Sequence, residues 1–191
     1  MKPLKIITGT IALLAIVSAT PIAAQNIRST EAELSFYSKT PMEDIAAVNK
    51  KANAVINTAT KDIAVLAKQT HFVFPNGLMQ EHFNENYMES EKYPNAIFKG
   101  HIIDPVDFSK PGKYPVHATG TLEMHGVSKP KTLEGTIEVT DKGSILVAEF
   151  PVPLEEYNIE RPSVVMMKIA DKIDVKARFV FPPVQAAAQK K

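Results

Sequence analysis

The sequence predicts an all-β protein, a single antiparallel barrel of about eight strands with one or two short helical insertions. Three observations lead there. Four stretches alternate polar and apolar residues almost without error, the period of two that places successive strand side chains on opposite faces. Strands wet on one face only belong to antiparallel sheets. Gly- and Pro-rich turns separate the stretches, and closing the sheet removes the edges that so many strands would expose.

The elements follow in order. Residues 31–37 read as a first strand, with Ala32, Leu34 and Phe36 on one face. Pro41 at a first-turn position predicts a short helical turn over 42–48. Residues 52–57 and 62–67 read as strands joined tightly through 58–61. An interruption follows in which Met79, Phe83 and Tyr87 recur every four residues beside Leu78, a helical stripe with Asn76 as its N-cap. Glu81, Glu85 and Glu89 share another face of that helix, so it relies on packing. Residues 96–103 form the next strand, with Ala96, Phe98, Gly100 and Ile102 inward.

Residues 104–115 hold three prolines and a glycine and read as a loop. The clearest strand is 114–125, where Tyr114, Val116, Ala118, Gly120, Leu122 and Met124 oppose His117, Thr119, Thr121, Glu123 and His125. A turn over 126–130 leads into 132–140, with Leu133, Gly135, Ile137 and Val139 inward. Asp141-Lys142-Gly143 makes a second hairpin into 144–153. A non-strand excursion over 154–162 precedes the last strand, 172–181, where Ile173, Val175, Ala177, Phe179 and Phe181 alternate with charged residues. Met166 and Met167 suit either a soft patch at the barrel mouth or an ordinary core.

The ends lie outside that fold. Lys2 and Lys5, the apolar run 6–17 and the tail 21–24 read as a secretory signal peptide cut after Ala24. The run is shorter than the about 20 residues that span a bilayer. The barrel domain is then 25–184, and 185–191 is a solvated tail. With no Cys among 191 residues, disulfides and a cysteine lipid anchor are excluded. Loss of Lys2 and Lys5 changes the formal charge from +1 to −1. No basic stripe follows, so nucleic acid is not an expected partner.

The inward residues are uneven in size. Ala54, Gly100, Ala118, Gly120, Gly135, Ala148 and Ala177 alternate with Phe98, Leu122, Ile137, Phe150 and Phe179. Small inward residues leave room for a ligand, or relieve crowding where strands bend. At ~3.3 Å per residue the strand 114–125 is roughly 40 Å long, which makes a deep apolar tube.

Several motifs resemble the YceI-like family. They are the run from Phe74 through Pro75-Asn76-Gly77-Leu78-Met79 to Tyr93-Pro94, then Phe98-Lys99-Gly100, Gly120-Thr121-Leu122 and His125-Gly126-Val127-Ser128-Lys129-Pro130. The stretch from Ile169 to Ile173 is similar too. The resemblance implies a lipocalin-like eight-stranded barrel, exported in bacteria to the periplasm or beyond, that encloses a polyisoprenoid or similar amphiphile. Where many members carry Asp-x-x-His-Ser, this chain has Arg28-Ser29-Thr30-Glu31-Ala32-Glu33, a departure expected to bear on the barrel mouth.

Catalytic and metal signatures are missing. There is no G-x-S-x-G elbow, Cys nucleophile or phosphate-binding glycine loop. His117 and His125 lie ~26 Å apart along one strand, too far to share a metal. His125 is read either at the rim or bonded to its own hairpin, and His82 suits a metal ligand, a salt-bridge partner or a surface residue. Glu81, Glu85, Glu155 and Glu156 could serve as acid/base carboxylates but are explained with less effort as a solvated face.

The expected function is non-catalytic binding of a long-chain isoprenoid, quinone-like or polyprenyl, for transport, storage or sequestration. No cofactor beyond such a lipid is expected, and association into a homodimer is left open. Strand parity assigns the lining to Phe36, Ile56, Phe98, Ile102, Val116 and Leu122, together with Met124, Leu133, Ile137, Phe150, Val175 and Phe179. Gly120→Phe is expected to block uptake in a folded protein. The competing expectations are a filled barrel acting through its surface and, behind it, an enzyme on an amphiphilic substrate.

Overall fold

A computed structural model describes residues 25–39, 44–160 and 169–184. The leader, the tail and the Met166-Met167 pair lie outside the described residues. The strands are β1 (Asn26–Arg28), β2 (Glu31–Ser38), β3 (Ile45–Asn49), β4 (Asn53–Asn57), β5 (Asp62–Lys68), β6 (Asn95–Ile102), β7 (Gly112–Met124), β8 (Val127–Thr140), β9 (Gly143–Pro153) and β10 (Lys172–Phe181). All pairings between them are antiparallel.

Ten segments make eight long strands. β1 pairs with β4 as Asn26↔Asn57, and β2 pairs with β3 as Leu34↔Asn49. The paired residue numbers keep one sum in both segments, so 26–38 and 45–57 form a single bent hairpin. Ser29 Oγ accepts from the Ala54 N–H at the first bend, and Asn49 accepts from the Lys51 N–H at the second. β2 also pairs with β10 along its length, which brings the last strand against the first and closes the barrel.

The expected helical turn over 42–48 is overturned where it is described, because 45–49 is strand. Ile45, Ala47 and Asn49 are buried in alternation against β2. Two alanines make the stretch helix-compatible, but the ladder with β2 decides its conformation. The turn expected over 126–130 is also shorter. His125 (φ 52°) and Gly126 (φ 73°) alone reverse the chain, the two-residue loop that strand twist favours. Pro130 therefore lies within β8. At the start of the same hairpin Gly112–Pro115 is already strand, so the loop ends sooner than 115.

Two insertions cover one end of the barrel. In the first, Asn76 caps a short helix, α1 (Gly77–His82), by accepting from the Leu78 N–H at 2.9 Å. A π turn (Phe83–Tyr87) continues it. Met79, Phe83 and Tyr87 are buried as the stripe predicts, whereas Leu78 is exposed. Phe83 joins Phe36, Phe72 and Phe74 in an aromatic cluster with centroids 5.0–5.7 Å apart. The second insertion begins with a 3-10 turn (Leu154–Tyr157).

Candidate functional site

The barrel interior divides into a packed end and a hollow one. Ile56 is wholly buried, and Ile27, Ile137 and Phe181 nearly so. None of the four lines the cavity at the other end, and together they form a plug. Toward the insertions lies a cavity of about 150 Å³. Its wall includes Val116, Ala118, Leu122 and Met124 of β7, Phe150 and Val152 of β9, and Val175 and Phe179 of β10. Phe72, Tyr87, Met88, Leu154 and Ile159 of the insertions roof it.

The room comes from a belt of small residues. In register across neighbouring strands run Val116, Gly135, Ala148, Ala177 and Leu34. Gly135, Ala148 and Ala177 place no bulk where the plug places isoleucine and phenylalanine. Of the residues assigned from parity, Phe36, Phe98, Ile102, Val116, Leu122, Met124, Leu133, Phe150, Val175 and Phe179 lie on the cavity wall. Ile56 and Ile137 point inward too, but into the plug.

Gly120 is not on that wall. It pairs with Gly100, and a Cβ at Gly120 would sit 2.1 Å from the Lys99 carbonyl oxygen. It therefore serves the close approach of β6 and β7, and the expectation that Gly120→Phe leaves the protein folded does not stand.

β8 and β9 part company on the hollow side. Their pairing covers only Gly135–Thr140 of β8 and Gly143–Ala148 of β9. Beyond it Pro130 on one strand and Pro151 and Pro153 on the other have no N–H to offer a ladder. Lys131 reaches across, its Nζ donating to the Pro151 carbonyl at 3.1 Å. The 3-10 turn Leu154–Tyr157 packs against both strands there. The departure at 28–33, expected to bear on the mouth, instead adjoins Ala54 and Val180 at the plugged end.

His125 joins three parts of this hollow end. Its Nδ1 lies 3.0 Å from the Tyr157 carbonyl oxygen and its Nε2 3.0 Å from Glu89 Oε2. Tyr93 packs edge-on at 4.6 Å. Each ring nitrogen of His125 faces an oxygen acceptor. His125 is thus 9 % exposed and ties the β7–β8 turn to each insertion, rather than bonding its own hairpin or standing free at the rim.

The other polar groups are structural. His101 lies 3.1 Å from Asp62, and His117 lies 3.0 Å from Asp104. Asp104 also accepts from the His117 main-chain N–H, and these contacts hold its carboxyl below the ordinary 3.8. Burial pushes the Tyr87 and Tyr157 phenols up. On the wet face Lys113–Glu138 and Lys176–Glu149 pair across strands, and such exposed pairs contribute little. Among the described residues no group of three or more His, Asp or Glu is placed to hold a metal. No helix among them is long and apolar enough to cross a membrane.

Parity reasoning missed the roof, because Phe83 and Tyr87 signal only a buried helical face and not what that face covers. It also missed Gln69, one step past the 62–67 strand. Its side chain continues the inward parity of Ile63, Val65 and Ala67 and lines the cavity.

An eight-stranded antiparallel barrel with an apolar cavity under two insertions is an architecture with room for a small apolar ligand. The chain belongs to the YceI-like domain family, whose model matches residues 22–181. Among solved structures it is similar to a polyisoprenoid binding domain from Saccharophagus degradans implicated in plant cell wall breakdown (TM-score 0.70, 12% identity, 84% of this chain and 99% of that one). It is also similar to BcnA of Burkholderia cenocepacia (TM-score 0.66, 16% identity, 78% and 95% covered). The YCEI protein of Campylobacter jejuni follows (TM-score 0.59, 19% identity, 74% and 86% covered). A search of curated proteins gave no match.

Proposed function

We propose that this chain is an exported, non-catalytic carrier that encloses a long-chain isoprenoid or similar amphiphile, quinone-like or polyprenyl, for transport, storage or sequestration. The carrying observation is the cavity, about 150 Å³ of space walled mainly by apolar side chains inside a barrel whose other end is filled by buried side chains. The polyisoprenoid binding named for the Saccharophagus degradans domain supports the ligand class. Each buried methylene contributes ~0.8 kcal/mol, so about ten supply the free energy of micromolar binding before ordering costs. A cavity of this size holds a benzene-sized group. A longer chain must also displace side chains at the roof and the adjoining wall, where Met88 and Met124 respectively are the most adaptable.

The cavity favours this reading over a filled barrel that works through its surface. Residues 1–24 as a cleaved leader complete it, placing the carrier in the periplasm or outside the cell. The test incubates the mature protein with a long-chain quinone and follows quinone absorbance through gel filtration. Co-elution at about one quinone per chain is expected. Protein that elutes without quinone, at every ratio offered, would remove the proposal.

A further inference from the structure

Among the described residues the polar ones bordering the cavity are Ser35, Gln69, Tyr87 and Glu134, and of these Gln69 is the one with a fully buried side-chain atom that has no hydrogen-bond partner. Gln69 is 2 % exposed, and its amide nitrogen is fully buried with no hydrogen-bond partner. Its main chain is fixed on both sides. The Gln69 N–H donates to the Pro94 carbonyl at 2.9 Å, and its carbonyl accepts from the Phe72 N–H at 3.1 Å. Gln69 is therefore held at the cavity wall, two residues beyond Ala67 and hydrogen-bonded through its main chain to the roof residue Phe72.

A buried amide donor without a partner lowers stability, and a Leu or Met of similar volume would avoid that loss. Nothing in the barrel's packing requires an amide here. Gln69 borders the cavity, so what its amide adds to a carbon-rich wall is one unmatched donor beside whatever occupies it.

We propose that Gln69 is a specificity-determining residue that donates its amide N–H to an acceptor oxygen of the enclosed ligand. The ligand class is then an oxygenated long-chain isoprenoid, a quinone, ketone or alcohol, whose oxygen sits beneath the roof while its hydrocarbon extends toward the plug. An isoprenoid hydrocarbon without oxygen would fill the same space and leave the donor unmatched. This rests on the carrier reading above and adds the residue that selects among apolar chains.

The test compares a long-chain ubiquinone with squalene on the mature full chain, in wild type, Gln69→Leu and Gln69→Met. Wild type is expected to bind the quinone more tightly than squalene. Both variants are expected to lose about tenfold in quinone affinity while holding squalene equally or better, as loss of a buried hydrogen bond predicts. The ligand-free variants should also melt at or above the wild-type temperature, because an unmatched donor has been removed. That rise separates a ligand-directed amide from a structural one. Unchanged quinone affinity in both folded variants, with quinone still bound, would overturn the role of Gln69 and leave the carrier reading intact. Failure of wild type to bind either chain would overturn both. Should Gln69→Leu and Gln69→Met both melt well below wild type, the amide holds the fold and the inference is wrong.

Discussion

Ala148→Phe tests the cavity from inside. Ala148 stands in the small-residue belt between Gly135 and Ala177 and lies on the cavity wall. The substitution adds one phenyl ring, and a space of about 150 Å³ is what benzene fills in an engineered core. The variant should therefore occupy the cavity from within. A ligand displaced by six carbons loses burial worth ~0.8 kcal/mol each, about 5 kcal/mol in all, or three to four orders of magnitude in affinity. The fold should move the other way. Filling a pre-existing void adds contacts without a clash, so stability is expected to hold or rise by ~1 kcal/mol, a melting shift of roughly 2–4 °C. Quinone titration and thermal unfolding on the same sample read both effects. A folded Ala148→Phe that binds as wild type does would refute the placement of the ligand in this cavity.

Three further outcomes follow from local geometry. His125→Ala removes the bonds to Glu89 and the Tyr157 carbonyl; it should cost about 2–3 kcal/mol and speed amide exchange in both insertions ahead of the strands. Gly120→Ala puts a Cβ 2.1 Å from the Lys99 oxygen, whereas Gly77→Ala meets nothing within 4 Å at the start of α1. Urea unfolding should show the first destabilised by more than ~2 kcal/mol and the second stabilised by ~0.5–1 kcal/mol. Asp104 carries a depressed carboxyl, so its contribution favours the fold above the ordinary value of 3.8 and fades as pH falls through the folded value. Wild type should lose stability on acidification below about pH 4 more steeply than Asp104→Asn, and parallel acid profiles would show that the His117 contacts do not matter.

The strands were legible because one wet face imposes an alternation that few other structures tolerate. β10 and the second half of β8 match their expected bounds to within a residue or two. β3 was not legible, since Ala46, Ala47 and Val48 in isolation suit a helix and only pairing with β2 makes them strand. The cavity wall followed from parity, but parity alone does not say how far along a strand the packing stops. Ile56 and Ile137 show this: both face inward, yet they sit in the plug. The role of Gly120 is hidden for a related reason. A small inward residue signals either free space or a neighbouring backbone, and here the Lys99 carbonyl occupies the position. The contacts of His125 span 32 and 36 residues of sequence, a separation that no local pattern encodes.

The central claim is that the barrel encloses a lipid. Native mass spectrometry of the mature protein, purified from its own host without detergent and followed by organic extraction, tests it most directly. The account predicts a discrete added mass in stoichiometric amount that extracts as an oxygenated isoprenoid. A clean protein mass, with no uptake when quinones and polyprenols are offered, would contradict it.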